Sequence, residues 1–195
     1  MEVERNPDLP AQPLRLDGED INLTRVLVDG ESISFRVEGA QLVHALLDEL
    51  GLRCFLKSSG GKGLHVVVPL TPQHDWTTVK DFSHAVVRHL AAHGGGRFVA
   101  RSGATNRIGR IFVDYLRNGR AATTVAAFSV RARPGMAVSL PLAWEALPAL
   151  QPRHLATVHG DDAQFEAAAQ TWSAYAKTRQ TLTRAMARLG SATPA

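Results

Sequence analysis

The sequence predicts an α/β (α+β) fold, a mixed β-sheet flanked by helices, on three observations. Short runs with period-two apolar alternation interleave with runs whose apolar residues recur every three to four positions, as when strands alternate with covering helices. Glycines punctuate the joints, at Gly51, Gly60-Gly61, Gly94-Gly95-Gly96 and Gly190. The 195 residues are 45% hydrophobic, enough for one respectable core but not two.

The elements follow in chain order. Residues 21–28 alternate apolar and polar, Asp29-Gly30 is a hairpin signal, and Ser32 to Val37 alternates again, so a β-hairpin is expected over 21–37. Leu42, Val43, Leu46, Leu47 and Leu50 have helical spacing and Gly51 supplies the stop, which predicts a helix over Gln41–Leu50. Strands are expected near Arg53–Lys57 and Leu64–Pro69, joined by a glycine-rich turn. Thr77 or Thr78 can cap a helix with Val79, Phe82, Val86 and Leu90 on its apolar face, ended by the glycine triplet. Further strands are expected near Arg97–Ala100, Arg110–Leu116 and Thr123–Ser129. Gly135 to Leu150 reads as proline-punctuated loop with at most a short helix at Ala143–Leu147. From Ala163 to Leu189 the helical pattern is almost unbroken.

Composition bounds the function classes. The single cysteine, Cys54, excludes an internal disulfide framework and reads as a small buried hydrophobe in a reducing compartment. The N-terminus lacks a basic segment followed by an apolar one, and no apolar run approaches the ~20 residues that span a bilayer. A cytoplasmic protein with no membrane partner is expected. The net charge of +4 is unevenly spread. Residues 1–39 hold nine acids against four arginines, whereas residues 97–134 hold eight arginines against Asp114 alone. Arginine forks onto phosphate, so the second segment suits a polyanion such as a nucleotide or nucleic acid, a solvated basic surface being the alternative.

Three constellations can carry chemistry. In Ser59-Gly60-Gly61-Lys62-Gly63-Leu64-His65, a hydroxyl, a cation, an imidazole and the glycine amides converge on one small volume, an anion cradle. The spacing does not fit the Walker pattern. An ordinary glycine-rich hairpin is the alternative, with His65 a satisfied core histidine. The second is Asp114 in Arg110-Ile111-Phe112-Val113-Asp114-Tyr115-Leu116, where a carboxylate in an apolar strand must be paired or bind a metal. A salt bridge to a nearby arginine would satisfy it equally. The third is Arg131-Ala132-Arg133-Pro134-Gly135, an arginine pair leaving a strand.

Together these segments resemble a known family. From about Gly39 to Gly190 the chain is similar to the second half of the polymerase domain of bacterial ATP-dependent DNA ligase D, a primase-like polymerase of the archaeo-eukaryotic primase superfamily. The resemblance rests on Leu47 to Leu52, on the turn at 59–65, on Gly109 to Arg120, on Ser129 to Gly135 with Val138-Ser139, and on Lys177 to Thr183. It implies template-dependent nucleotidyl transfer from a nucleoside triphosphate to a DNA 3′ end during non-homologous end joining, with Mn²⁺ or Mg²⁺. It places Ser59, Lys62, His65 and Arg131 on the triphosphate, Arg107 beside the active site, and Asp114 as a catalytic, metal-binding carboxylate. DNA ends, Ku and a separate DNA ligase are the implied partners, at the bacterial nucleoid.

The chain also departs from that family. The register of the first Asp-x-Asp pair, which supplies two of the three metal carboxylates, falls on Thr24-Arg25-Val26. The N-terminal module of the polymerase domain is missing from the pattern as well, so a truncated fold with impaired transfer is expected. A non-catalytic nucleotide- or DNA-end-binding remnant and a non-functional gene-fusion fragment are the alternatives. Residues 13–20 and 28–31, with 34–39, instead resemble the opening β-domain of aminopeptidase N, with no His-Glu-x-x-His to imply peptidase chemistry. The expected organisation is thus an aminopeptidase N-like segment over 1–38 and a partial primase-polymerase domain over 39–195.

Overall fold

A computed structural model describes residues 33–191, apart from 62, 101–109 and 152–154. The described residues build two small sheets and four α-helices around one main core. Helix α1 spans Ile33–Glu49 and buries Ala40, Val43, Leu46 and Leu47. Its end is a Schellman closure: Gly51 takes φ +77°, its N–H donates to Asp48 O, and Leu52 N–H donates to Leu47 O, both at 2.8 Å.

This helix corrects the expected hairpin, because Ile33 to Val37 is helical rather than the second strand. Five alternating residues fit either period, and the Val37, Ala40, Val43, Leu47 spacing lets one helical stripe reach the core. Burial of such side chains is worth roughly 1.5–3 kcal/mol each for the larger aliphatics, which outweighs local β preference. The helix runs through 38 and 39 without a break. Residues 21–28 and the Asp29-Gly30 turn lie outside the described residues.

Strand β1 (Phe55–Ser58) pairs antiparallel with β2 (Leu64–Val67), with Lys57 opposite His65 and Ser58 opposite Leu64. On its other edge β1 pairs antiparallel with β5 (Pro141–Leu142), giving the order β2-β1-β5. β5 lies in the stretch expected to be loop. It was hidden by its length and its proline, which the end of a short edge strand tolerates. Every residue of β1 and β2 is buried, so this sheet is covered on both faces. α1 packs on β2, and α3 packs on β5.

The second sheet is a parallel pair, β3 (Phe98–Val99) with β4 (Ile111–Phe112). Before it comes α2 (Trp76–His93), capped by Asp75 rather than a threonine, its carboxylate accepting from Thr78 N–H at 2.7 Å. The helix buries Val79, Phe82, Val86, Val87 and Leu90, and packs on β3 and on a 3₁₀ turn at Leu116–Asn118. β4 is shorter than the expected strand because the chain turns into that 3₁₀ segment two residues after Asp114. The strand expected over Thr123–Ser129 is irregular backbone, with Phe128 at φ +64°.

The long C-terminal helix expected from Ala163 to Leu189 is broken into α3 (Asp162–Thr171), a 3₁₀ turn (Tyr175–Lys177) and α4 (Thr183–Ser191). The break is where the chain docks on β1. Trp172 Nε1–H donates to Leu56 O at 2.9 Å, and its ring stacks on Tyr175. The Gln180 amide donates to Arg53 O and Pro69 O and accepts from Arg53 N–H. These bonds need a non-helical backbone to reach the sheet, and tertiary pairing overrides helical periodicity. Among the described residues no helix is long and apolar enough to cross a membrane.

Candidate nucleotide site

The site grows from the end of β1. After Ser58 the chain must reverse within five residues, and Gly60 at φ +61° supplies the left-handed step. Ser59 closes the turn twice: its N–H donates to Gly63 O at 2.9 Å and its Oγ accepts from Gly63 N–H at 3.0 Å. The Gly63 amide is therefore turned inward onto Ser59, a correction to the expectation that all three glycine amides point at a ligand. Ser59 is buried and Gly61 half-buried, so the turn presents Gly61 at its rim.

The ribbon carrying the arginine pair lies across this turn. A Cβ on Gly60 would stand 2.6 Å from Arg131 Cγ, and one on Gly61 would stand 3.8 Å from Arg133 Nη1. The cradle and the arginine pair, read separately from the sequence, thus form one site. Ser58 and Ser139 weld the two pieces. Ser58 Oγ–H donates to Val138 O at 3.1 Å and Leu140 N–H donates to Ser58 Oγ at 2.9 Å. Ser139 Oγ–H donates to Ser58 O at 2.6 Å.

Beneath the turn lies a buried cation that the sequence reading missed. Lys57 is 2% exposed, and its ammonium donates to Ser139 Oγ at 2.7 Å and to Val125 O at 2.9 Å. Hydrogen bonds to a charged donor contribute roughly 1.5–3 kcal/mol each, so Lys57 ties β1 to both the 121–129 loop and the Arg131 ribbon. The legible signal was a lysine in the run Cys54-Phe55-Leu56-Lys57, where the other residues are apolar. His65 is buried directly across the strand pair from Lys57. Cross-strand partners share a face, so the imidazole and the ammonium stand on one side of the sheet behind the cradle.

Asp114 lies just beyond β4, in the second sheet. It is 5% exposed; its Oδ1 accepts from Leu116 N–H at 3.0 Å, and its Oδ2 stands 4.0 Å from Arg117 Nε. Arg117, counted only as part of the arginine cluster, is thus a charged side chain beside the candidate carboxylate among the described residues. Lys62 and Arg107, expected on the triphosphate and beside the active site, lie outside the described residues.

The donor set for a divalent metal can be tested on these residues. Among the described residues no group of three His, Cys, Asp or Glu side chains is placed to hold an ion. A lone carboxylate with an arginine at 4.0 Å does not make a two-metal centre. The described residues do not fit the expected Mn²⁺ or Mg²⁺ pair.

Comparison with known proteins places this arrangement. Residues 29–172 match the family described as LigD, primase-polymerase domain. The chain is 51% identical over 162 residues to the multifunctional non-homologous end joining protein LigD of Pseudomonas aeruginosa, covering 78% of this chain and 18% of that protein. To the corresponding protein of Mycolicibacterium smegmatis it is 31% identical over 144 residues, 71% of this chain and 19% of that one. The chain therefore spans under a fifth of these curated relatives. Among solved structures, the polymerase domain from Mycobacterium tuberculosis ligase D in complex with DNA superposes with a TM-score of 0.61 at 30% identity, over 72% of this chain and 48% of that one.

Proposed function

The chain belongs to the LigD primase-polymerase family, and from that membership we propose that it is a nucleotide- and DNA-end-binding polymerase module of non-homologous end joining. The observation that carries the reading is the close approach of Gly60 to Arg131, which brings a glycine turn and an arginine pair together. A triphosphate needs several donors and a fixed cation, and this site offers the Gly61 rim, the Ser59 hydroxyl, Arg131 and Arg133. Lys62 and Arg107 would add to it. The DNA end would lie along the arginine-rich stretch that follows Asp114, where residues 115–144 hold four arginines and no acid. Ku and a separate ligase polypeptide are the protein partners this membership leads us to expect.

Nucleotidyl transfer by this chain is expected to be weak. Among the described residues Asp114 supports this, standing outside any group of three metal-ligating side chains where two-metal chemistry calls for three carboxylates. Binding and transfer separate in one experiment. A thermal melt with excess ATP is expected to raise Tm, and Arg131→Ala to abolish the rise, because a ligand at about 100 times its Kd stabilises by about 2.7 kcal/mol. Primer extension on an overhanging end is expected to be slow at high protein concentration. A cooperative melt indifferent to ATP would overturn the nucleotide reading, and rapid extension would overturn the assignment of impaired transfer.

A further inference from the structure

The ribbon that carries Arg131 to the cradle also carries apolar side chains that the molecule leaves in solvent. Phe128 is 45% exposed, and Val130 and Met136 are 47% exposed each. The ribbon is well defined: Val130 bridges Val138, Arg131 N–H donates to Ala137 O at 2.9 Å, and Ser139 N–H donates to Ser129 O at 2.9 Å.

Phe128 is unusual in its backbone as well as its exposure. It takes φ +64°, a conformation that is strained for a bulky L-residue and persists only where the surroundings enforce it. The enforcement is visible. Phe128 N–H donates to Ser139 O at 2.6 Å, and three residues earlier the buried Lys57 ammonium grips Val125 O. A buried cation and the Ser139 carbonyl thus hold in place a backbone whose phenyl ring contributes little to the core. The ring stands three residues from the arginine on the cradle, in the acid-free stretch of residues 115–144.

We propose that Phe128 is a stacking platform for an unpaired base of a bound DNA end. An exposed aromatic on the ribbon that also carries Arg131 and Arg133 matches the chemistry that single strands need, a π-face for the base with cations for the adjoining phosphates. An open ring at a ribbon surface suits a strand that continues past it better than an enclosed mononucleotide. The proposal rests on the DNA-end reading above and names the residue that would distinguish an overhang from a blunt end.

The test is fluorescence anisotropy with two labelled DNAs, a duplex carrying an unpaired 3′ overhang and a blunt duplex of the same paired length. Phe128→Leu keeps an apolar side chain without a π-face. It is expected to lose about 5- to 150-fold in affinity for the overhang, the range of one base stacked on an aromatic, with the loss confined to that substrate. Phe128→Tyr is expected to retain the native overhang affinity. Native overhang binding that Phe128→Leu leaves unchanged would overturn this proposal alone, as would an equal loss on both DNAs. A native chain that binds neither DNA would overturn the DNA-end reading and this proposal with it.

Discussion

Gly60 and Arg131 are packed so tightly that a β-carbon on the glycine would lie 2.6 Å from the arginine's Cγ, with Ala137 O and Ser139 N each at 3.1 Å. The arginine side chain can give way, but the two backbone atoms belong to a hydrogen-bonded ribbon and cannot. The turn and the ribbon are therefore a single unit, and a change in one is felt in the other.

Gly60→Ala is expected to destabilise by about 1–3 kcal/mol, because φ +61° is added to a backbone clash. It should also weaken the ATP-dependent rise in Tm. Urea denaturation checks the first and a thermal melt with ATP the second. A variant as stable as the native chain would show that the ribbon is looser than this packing implies.

Lys57→Met keeps the length of the buried stem and removes the ammonium that joins Val125 O to Ser139 Oγ. The expected loss is about 2–4 kcal/mol, since Ser139 loses its donor in a buried place and the Val125 carbonyl in a half-buried one. Limited proteolysis should show faster cutting within residues 121–129. Equal cutting of both proteins would mean that the loop is held by other bonds.

Cys54 has its thiol pushed up from 9.0 to about 12, first by burial and then by the nearby Asp48 charge. A raised folded value makes the thiol favour folding below pH 9, and that contribution is lost as pH rises through the interval from 9.0 to about 12. At pH 8 a thiol reagent should react with the folded protein far more slowly than with the urea-unfolded chain. Comparable rates would contradict its burial.

His44, His84 and His89 are each held below the ordinary imidazole value of 6.5, burial being the largest cause in all three. Arg88 repulsion adds to it at His84 and His93 repulsion at His89, while Asp48 and Glu145 oppose it at His44. A depressed value means the unfolded chain takes up the proton first, so stability present above pH 6.5 falls as the solution is acidified through it. His44 stacks on Trp144 with ring centroids 3.8 Å apart. His44→Gln should therefore reduce the drop in Tm between pH 7.5 and pH 5, and an unchanged drop would remove His44 from the account.

What was legible in the sequence were the features written locally. The glycine turn, the Asp114 strand and the arginine pair were each visible because their residue types are rare in those settings. So were α2, whose apolar face repeats over 18 residues, and the end of α1, fixed by Gly51. Lys57 was passed over because a single lysine in a four-residue strand is indistinguishable from one facing solvent until its partners, 68 and 82 residues away, are in place.

The sequence by itself determined the alternation of strands and helices, the chemistry gathered in the turn and the arginine-rich stretch, and the family those tracts resemble, because each depends on neighbouring residues. Only the tertiary structure decided that residues 33–37 are helical, that the C-terminal helix breaks to dock Trp172 on β1 and Gln180 on the backbone of Arg53 and Pro69, and that the cradle and the Arg131 ribbon lie together. The reason is physical. Each of these outcomes is set by burial or by hydrogen bonds to groups far along the chain, and such contacts outweigh the local preference that a periodic pattern records.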